Sequence, residues 1–247
     1  IFDIETDKIN KPSQVYIGNT ISKEKAYFSY FLLSFIGLIL GLYTSYINKT
    51  IFYGIFFIGT IMLLYGYSKR FKSVAIIGNV IVAFLTALSV FIVYIFEVNT
   101  LKNSTNLLEL IANFFASISV TTTVFIYIIF AFFMTFIREM IKDIEDMKGD
   151  YALKMKTLPI IIGINRTKKV ILVITSIIFL FILINLKEEL IHIPLLFWYT
   201  VLFILTPFTW FLYKLFTSKT SKNYHVLSQI IKLIMFFGIL SMLLLKL

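Results

Sequence analysis

The chain has no cysteine, which excludes disulfides, thiol catalysis, iron–sulfur clusters and Cys-ligated zinc. It has two histidines, His192 and His225, too far apart in sequence to form a His-rich metal motif. Charged side chains make up 15% of its 247 residues, where ordinary soluble domains carry about 25%. That leaves too little polar surface to coat a water-soluble globule of this length. No pattern of basic, apolar and small-residue regions precedes the first polar stretch, so no secretory signal is read there. The chain opens on Ile1 rather than Met, and its start therefore reads as truncated.

What the chain does have is apolar bulk: 59% hydrophobic residues, 27 Phe, 14 Tyr and a mean hydropathy of +0.92. Apolar runs of the length needed to cross a bilayer, about 20 residues, fall at 27–47, 51–67, 73–96, 113–137, 169–186, 195–216 and 225–246. The second is short, and the fourth runs directly into a polar helix beginning near Arg138. None shows the ten-residue alternation of a barrel strand. The expected fold is all-α, a polytopic transmembrane helical bundle with seven spans.

The net charge of +10 would point to nucleic acid in a soluble protein; here it reads as topology and no nucleic acid is expected. Of the 23 Lys and Arg, 18 fall in the segments 1–26, 67–73, 137–169 and 214–225. Lys49, Lys102, Lys187 and Lys246 lie in the opposite set, and Lys232 lies inside the last span. Positive-inside bias puts the first set in the cytoplasm, as in a multi-pass protein of the cytoplasmic membrane.

Aspartate is scarcer still, and its placement carries most of the functional information. All five Asp lie in two short segments of the basic side: Asp3 and Asp7, then Asp143, Asp146 and Asp150. Glu5, Glu139 and Glu145 join them. On helices, spacings of i, i+4 and of i, i+3, i+7 set each group on one face. Like charges on facing surfaces repel unless a cation lies between them. Oxygen-only ligands favour Mg²⁺ or Mn²⁺, and Mg²⁺ takes one or two carboxylates and completes its shell with water and phosphate oxygens. The paired faces therefore read as a metal site that holds a diphosphate.

The plainer alternative is a set of solvated charges paired along their own helices with Lys8, Lys11, Lys142 and Lys148. Against it stands the choice of Asp, since Glu is the better helix former and the other loops use Glu only. A third basic-side piece, Tyr65-Gly-Tyr-Ser-Lys69-Arg70-Phe-Lys72 followed by Gly78-Asn79, reads alone as an interfacial anchor. Beside two metal-binding faces it reads as a diphosphate clamp.

Taken together, these residues resemble the UbiA superfamily of intramembrane prenyltransferases. Ile1-Phe-Asp3-Ile-Glu-Thr-Asp7 matches the latter part of the family's N-D-x-x-D-x-x-x-D motif, and Asn10-Lys-Pro12 and Gly18 follow its N-x-P and Gly pattern. Arg138-Glu-Met-Ile-Lys-Asp143-Ile-Glu-Asp146-Met-Lys-Gly149-Asp150 matches the second Asp-rich motif, continued by Lys156-Thr-Leu-Pro159. Tyr65 and Lys69 fit a Y-x-x-x-K element, and Gly78-Asn79 fits the following G-N. One departure stands out: Gln14-Val15 occupies the place where the family often has Arg-Pro.

The resemblance implies a single prenyltransferase membrane domain over 1–247 that shows seven of nine family spans and lacks the first two. It further implies Mg²⁺-dependent transfer of an isoprenoid, best matched to geranylgeranyl, from an allylic diphosphate to a hydrophobic acceptor within membrane lipid. Asp3 and Asp7 would hold one metal ion and Asp143 and Asp146 another, with Asp150 auxiliary. Tyr65, Lys69, Arg70, Asn79, Arg138 and Lys142 would bind the diphosphate, Lys69 foremost. Within the superfamily the second motif resembles the geranylgeranylglycerol-phosphate geranylgeranyltransferase subgroup of ether-lipid synthesis; aromatic quinone or pigment precursors are the alternative acceptors.

Phe114, Phe115, Tyr127 and Trp210 could face a carbocation, but lipid contact or bundle packing is the better reading of each. Gly37 and Gly41 read as a close helix contact. A transporter would carry ionisable residues at mid-membrane depth, and Lys232 is the only charge clearly inside a span.

Overall fold

The computed structural model describes residues 1–102 and 118–246, with side chains assigned outside 97–122, 187–192, 245–247 and position 14. The start of the fourth expected span, with Phe114 and Phe115, lies outside the described residues. Among the described residues the chain is helical throughout, with two isolated bridges as the sole β pairing.

A short amphipathic helix α1 (Ile4–Asn10) comes first. Long helices follow as α2 (Lys23–Ile47), α3 (Phe52–Lys69), α4 (Ile77–Lys102) and α5 (Ile118–Glu145). Two short helices, α6 (Met147–Ala152) and α7 (Leu158–Ile162), precede α8 (Ile164–His192). The chain ends with α9 (Pro194–Tyr199), α10 (Thr206–Thr217) and α11 (Ser221–Ser241). Ser22 and Thr220 cap α2 and α11, each accepting from the backbone N–H three residues on. Between α9 and α10, Thr200–Leu205 winds as a π-helix. Pro207 is the local cause, because its ring cannot donate and clashes with the carbonyl one turn earlier. Thr206 repairs the ladder through its N–H and hydroxyl, both directed to the Val201 carbonyl.

Six helical stretches are long and apolar enough to cross a membrane: Lys23–Ile47, Ile77–Phe96, Thr123–Glu145, Ile164–Leu186, Pro194–Thr217 and Ser221–Leu244. The short second run expected from the sequence forms α3 but is not among them. Its 18 residues are diluted by Gly54, Gly59, Thr60 and a Tyr-Gly-Tyr-Ser-Lys end. The chain is an integral membrane protein built as a polytopic helical bundle.

The main core lies where α5, α8, α10 and α11 meet. Met134, Ile137 and Ile141 pack against Ile171, Phe208, Phe211, Leu227, Ile231 and Ile234, all essentially inaccessible. Burying each such side chain contributes about 1.5–3 kcal/mol in water, but in lipid close packing takes over that role. The α2–α3 hairpin sits apart from this core. Gly41 admits Phe57 so closely that a Cβ there would lie 2.7 Å from its ring, whereas Gly37 has nothing within 4 Å. Of the expected Gly37–Gly41 contact, only the Gly41 half forms. Tyr53 stacks on Phe96 with ring centroids 4.6 Å apart, which ties the hairpin to α4.

The four basic segments meet at one end of the bundle. Ser73 accepts from the Lys156 backbone N–H, Lys168 donates to the carbonyls of Phe216 and Ser218, and Ser221 donates to the carbonyl of Glu145. These bonds join stretches from every one of the connections set on the basic side by charge, the first excepted. That first segment enters through the acidic site.

Candidate active site

The site is built on the C-terminal end of α5, where an apolar stripe gives way to Arg138-Glu-Met-Ile-Lys-Asp143. Met140, Ile141 and Ile144 remain buried in the core and so hold this polar end rigidly. The Asp143–Asp150 stretch was expected to lie on one helical face, and instead the helix breaks. α5 stops at Glu145, Asp146 occupies the junction and Asp150 lies on α6. The break has a visible partner: Asn10 Nδ2 donates to the Asp146 carbonyl (2.9 Å), and the Gly149 N–H donates to Asn10 Oδ1 (2.9 Å). A side-chain amide from α1 thus joins backbone groups on both sides of the junction. Gly149 permits it, because a Cβ there would lie 2.5 Å from Asn10 Nδ2.

This clamp carries α1, and with it Asp3 and Asp7, against the second acidic stretch. Asp3 is at the N-cap of α1 and Asp7 one turn along it. Lys11 Nζ, just beyond α1, lies 2.8 Å from Asp146 Oδ1, 3.1 Å from Oδ2 and 3.7 Å from Glu145 Oε1. Lys72 Nζ, from the loop between α3 and α4, lies 2.7 Å from Asp3 Oδ2. Asn79, at the start of α4, donates to Asp143 Oδ2 at 2.8 Å. Asp3, Asp143, Asp146, Asp150 and Asn79 are therefore brought to one place by α1, α4, α5 and α6.

Electrostatics follow from this crowding. Burial above all, then the negative charge of Asp146, pushes the Asp150 carboxyl up to about 6; Asp3 adds to the rise, while Lys72 and Lys11 oppose it. Burial would lower the Lys11 ammonium, but its hydrogen bond to Asp146 and the charges of Asp146, Glu145 and Asp7 hold it above its ordinary value. Thr6, Thr157 and the Arg138 Nε, in the same segments, are buried polar atoms without a hydrogen-bond partner among the described residues. Buried polar groups of this kind are available to a ligand.

Other residues selected from the sequence stand elsewhere. Lys69 rests on Tyr65, with Nζ 3.3 Å from its hydroxyl and 5.4 Å from the ring centre, on an exposed surface. Tyr65 reaches the site's edge through an edge-on contact with Phe2. Arg70 is exposed. Arg138 and Lys142 both bind the buried Glu139, at 2.7 and 3.1 Å. The local pairing that competes with a ligand reading holds for Lys142, and for Lys8 with Glu5. It fails for Lys11, whose partner is 135 residues away. Neither Lys11 nor Lys72 was singled out from the sequence as a site residue: Lys72 closed the basic piece read as a diphosphate clamp, and Lys11, inside the N-x-P element, was counted among the locally paired lysines. Trp210 is exposed on the bundle's outside and Tyr127 bonds to Ser241 at 2.6 Å, as packing residues do.

Among the described residues no three acidic or histidine side chains converge closely enough to enclose an ion on their own. Carboxylates meet ammonium groups there instead.

An α-helical membrane protein with two acidic arms docked at one end of its bundle is the class defined so far. The chain matches the UbiA prenyltransferase family over residues 1–240, and it belongs to that family. It is 34% identical over 177 residues to a digeranylgeranylglyceryl phosphate synthase of Sulfurisphaera tokodaii, covering 70% of this chain and 55% of that protein. It is 36% identical over 165 residues to the synthase of the same name in Methanococcus aeolicus, covering 67% and 50%. The chain spans about half the length of these curated relatives. A solved structure described by the words "biosynthesis of Digeranylgeranylglyceryl phosphate synthase in membranes" shares the fold, with a TM-score of 0.59 and 24% identity over 97% of this chain and 76% of that one.

Proposed function

We propose that residues 1–247 form one prenyltransferase membrane domain that transfers a geranylgeranyl group from its allylic diphosphate to geranylgeranylglyceryl phosphate. The reading is carried by the docking of α1 on the α5–α6 junction, in which Asn10 and Lys11 bring the first acidic arm against the second. The relatives' common name supports the acceptor.

The donor set suits Mg²⁺ or Mn²⁺: oxygen ligands only, and carboxylates already lying against cationic nitrogen in two places. Asp3 and Asp7 would hold one ion and Asp143 and Asp146 another, with Asp150 beside them. Bound metal supplies positive charge to the diphosphate as it departs. The protein's own part is to aim the diphosphate at this end of the bundle and to offer Asn79, Thr6, Thr157 and nearby lysines as donors. Tyr65, Lys69, Arg70, Arg138 and Lys142 would form the outer basic rim. The allylic C–O bond breaks with its electron pair going to the diphosphate. The acceptor hydroxyl oxygen then forms the new C–O bond and releases its proton. Isoprenoid tails extend into the apolar bundle, and the site faces the cytoplasm, on the side carrying 18 of 23 basic residues.

The test uses the complete protein in lipid with Mg²⁺ and radiolabelled geranylgeranyl diphosphate. Geranylgeranylglyceryl phosphate, 1,4-dihydroxy-2-naphthoate and 4-hydroxybenzoate are offered in parallel. Transfer to the first alone is expected; transfer to an aromatic acceptor instead would reassign the substrate. Absence of EDTA-sensitive diphosphate release with every acceptor would overturn the enzyme reading.

A further inference from the structure

Two lysine–aspartate ion pairs tie the acidic cluster together, and each spans separate elements. Lys72 reaches Asp3 at 2.7 Å, and Lys11 reaches both oxygens of Asp146 at 2.8 and 3.1 Å. Both ammonium groups and both carboxylates also act on the buried Asp150, so the two pairs belong to one charge cluster. Among the nearby lysines, Lys8 and Lys142 pair within their own helices and Lys69 lies on Tyr65. An anchoring role at a membrane surface would ask no more of Lys11 and Lys72 than of these.

The backbone is shaped to present both residues. Lys11 follows Asn10, whose amide fits against Gly149, and precedes Pro12, which opens a 3₁₀ turn and restricts the Lys11 backbone. Lys72 lies in a 3₁₀ turn pressed against Gly78, where a Cβ would come within 2.8 Å of the Phe71 carbonyl oxygen and 3.2 Å of the Lys72 Cα. The same turn is fastened from the other side by the Lys156 N–H to the Ser73 carbonyl. Two glycines of the acidic and basic motifs thus serve the approach of two lysine-bearing segments.

A Mg²⁺ ion sits about 2.1 Å from a carboxylate oxygen, and an ammonium nitrogen about 2.7–2.9 Å. Lys11 engages both oxygens of Asp146 and Lys72 engages Oδ2 of Asp3, so a metal arriving at these carboxylates competes with an ammonium for lone pairs and for negative charge. A lysine displaced from its carboxylate remains tethered to the site by a flexible four-carbon stem, with three donors free for another anion. The incoming anion is the diphosphate.

We propose that Lys11 and Lys72 are diphosphate-binding residues that neutralise Asp146 and Asp3 before ligands bind and exchange those carboxylates for diphosphate oxygens as metal and substrate enter. This inference rests on the prenyl diphosphate reading of the same site. The exchange makes and breaks no covalent bond: two metal–carboxylate contacts replace two ammonium–carboxylate contacts, and the ammonium groups move to phosphate oxygens.

The consequence is a pair of effects with opposite signs. Lys11→Met and Lys72→Met keep the apolar stem and remove the competing charge. In the complete protein held in nanodiscs, Mn²⁺ alone, followed by electron paramagnetic resonance, should bind about threefold to tenfold tighter to either variant. Inorganic diphosphate in the presence of Mg²⁺, followed by calorimetry, should bind about tenfold more weakly. Lys11→Arg and Lys72→Arg keep the charge and should return both affinities toward those of the unaltered protein. If a Met variant does not fold, Lys→Gln at the same position carries the test.

Metal and diphosphate affinities that fall together, or a metal affinity that does not rise, would overturn the exchange. So would unchanged diphosphate binding. An unaltered protein that binds no diphosphate with Mg²⁺ overturns the underlying site reading as well. An unaltered protein that binds it, beside Met variants indistinguishable from it, overturns the exchange alone.

Discussion

The two acidic arms use the same residue type but are held in different ways. The second ends a 28-residue helix whose last turns are locked into the main core, and its Asp150 is only 5% exposed. The first rides on a helix of seven residues near the surface, and the Asp3 side chain is 40% exposed. A helix that short has no stability of its own in water. Its order comes from what it docks on: Asn10 at the α5–α6 junction, Lys11 on Asp146 and Lys72 on Asp3. One arm is scaffold and the other is a docked piece, so damage to the first should be local and damage to the second should reach the bundle.

The largest expected effect separates the arms at the level of catalysis. Asp143→Asn should lower kcat/KM about 10³-fold, since it removes charge from the rigid arm where preorganisation is greatest. Asp3→Asn should cost about 10²-fold, because the exposed arm can readjust. Measured rates in the reverse order would break the comparison.

Packing comes next. Gly149→Val forces side-chain carbon against Asn10 and should destabilise the protein by about 1–3 kcal/mol. Gly37→Ala, with open space around it, should stay within about 0.5 kcal/mol. Thermal unfolding in detergent reads both.

A smaller change tests the docking itself. Asn10→Ala removes two hydrogen bonds and leaves the Gly149 N–H and Asp146 carbonyl less well paired, a loss of about 1–2 kcal/mol. Hydrogen exchange should quicken in residues 4–10 while the α5–α11 core keeps its protection. Equal quickening in both would show that α1 is not a separately docked piece.

The smallest effect is the pH response of Asp150. Its carboxyl is raised from an ordinary 3.8 to about 6 in the folded state. Below about pH 4 it is protonated whether the chain is folded or not. As pH rises from about 4 to 6 the unfolded chain gives up the proton first, so the metal-free folded protein loses stability over that window. Unfolding temperatures in EDTA should fall between pH 4 and 6, and Asp150→Asn should flatten that part of the curve.

Much of this was legible along the chain, for particular reasons. Hydropathy runs located the spans of α2, α4, α8, the α9–α10 stretch and α11 to within about five residues, because a bilayer-crossing helix needs a continuous apolar stretch. The sorting of Lys and Arg anticipated which connections meet at one end. The five Asp were visible as two groups through composition alone. Tyr65 and Lys69, matched in the sequence to a Y-x-x-x-K element, touch one helical turn apart, on a surface that is exposed. The break at Asp146 was not legible, since its partner Asn10 lies 136 residues away. Nor were Lys11 and Lys72 distinguishable from other basic residues of the same segments.

By itself the sequence determined a helical membrane protein, the apolar runs that hold its spans, the family motifs and the concentration of Asp at one end. These depend on local periodicity and on the cost of placing charge in lipid, and both are written in neighbouring residues. Only the tertiary structure decided which cation meets which carboxylate and which glycine admits which neighbour. A contact of 2.7 Å between Lys72 and Asp3 requires α1 and the α3–α4 loop to arrive in one orientation. That orientation comes from packing and hydrogen bonding between distant segments, which no local pattern contains.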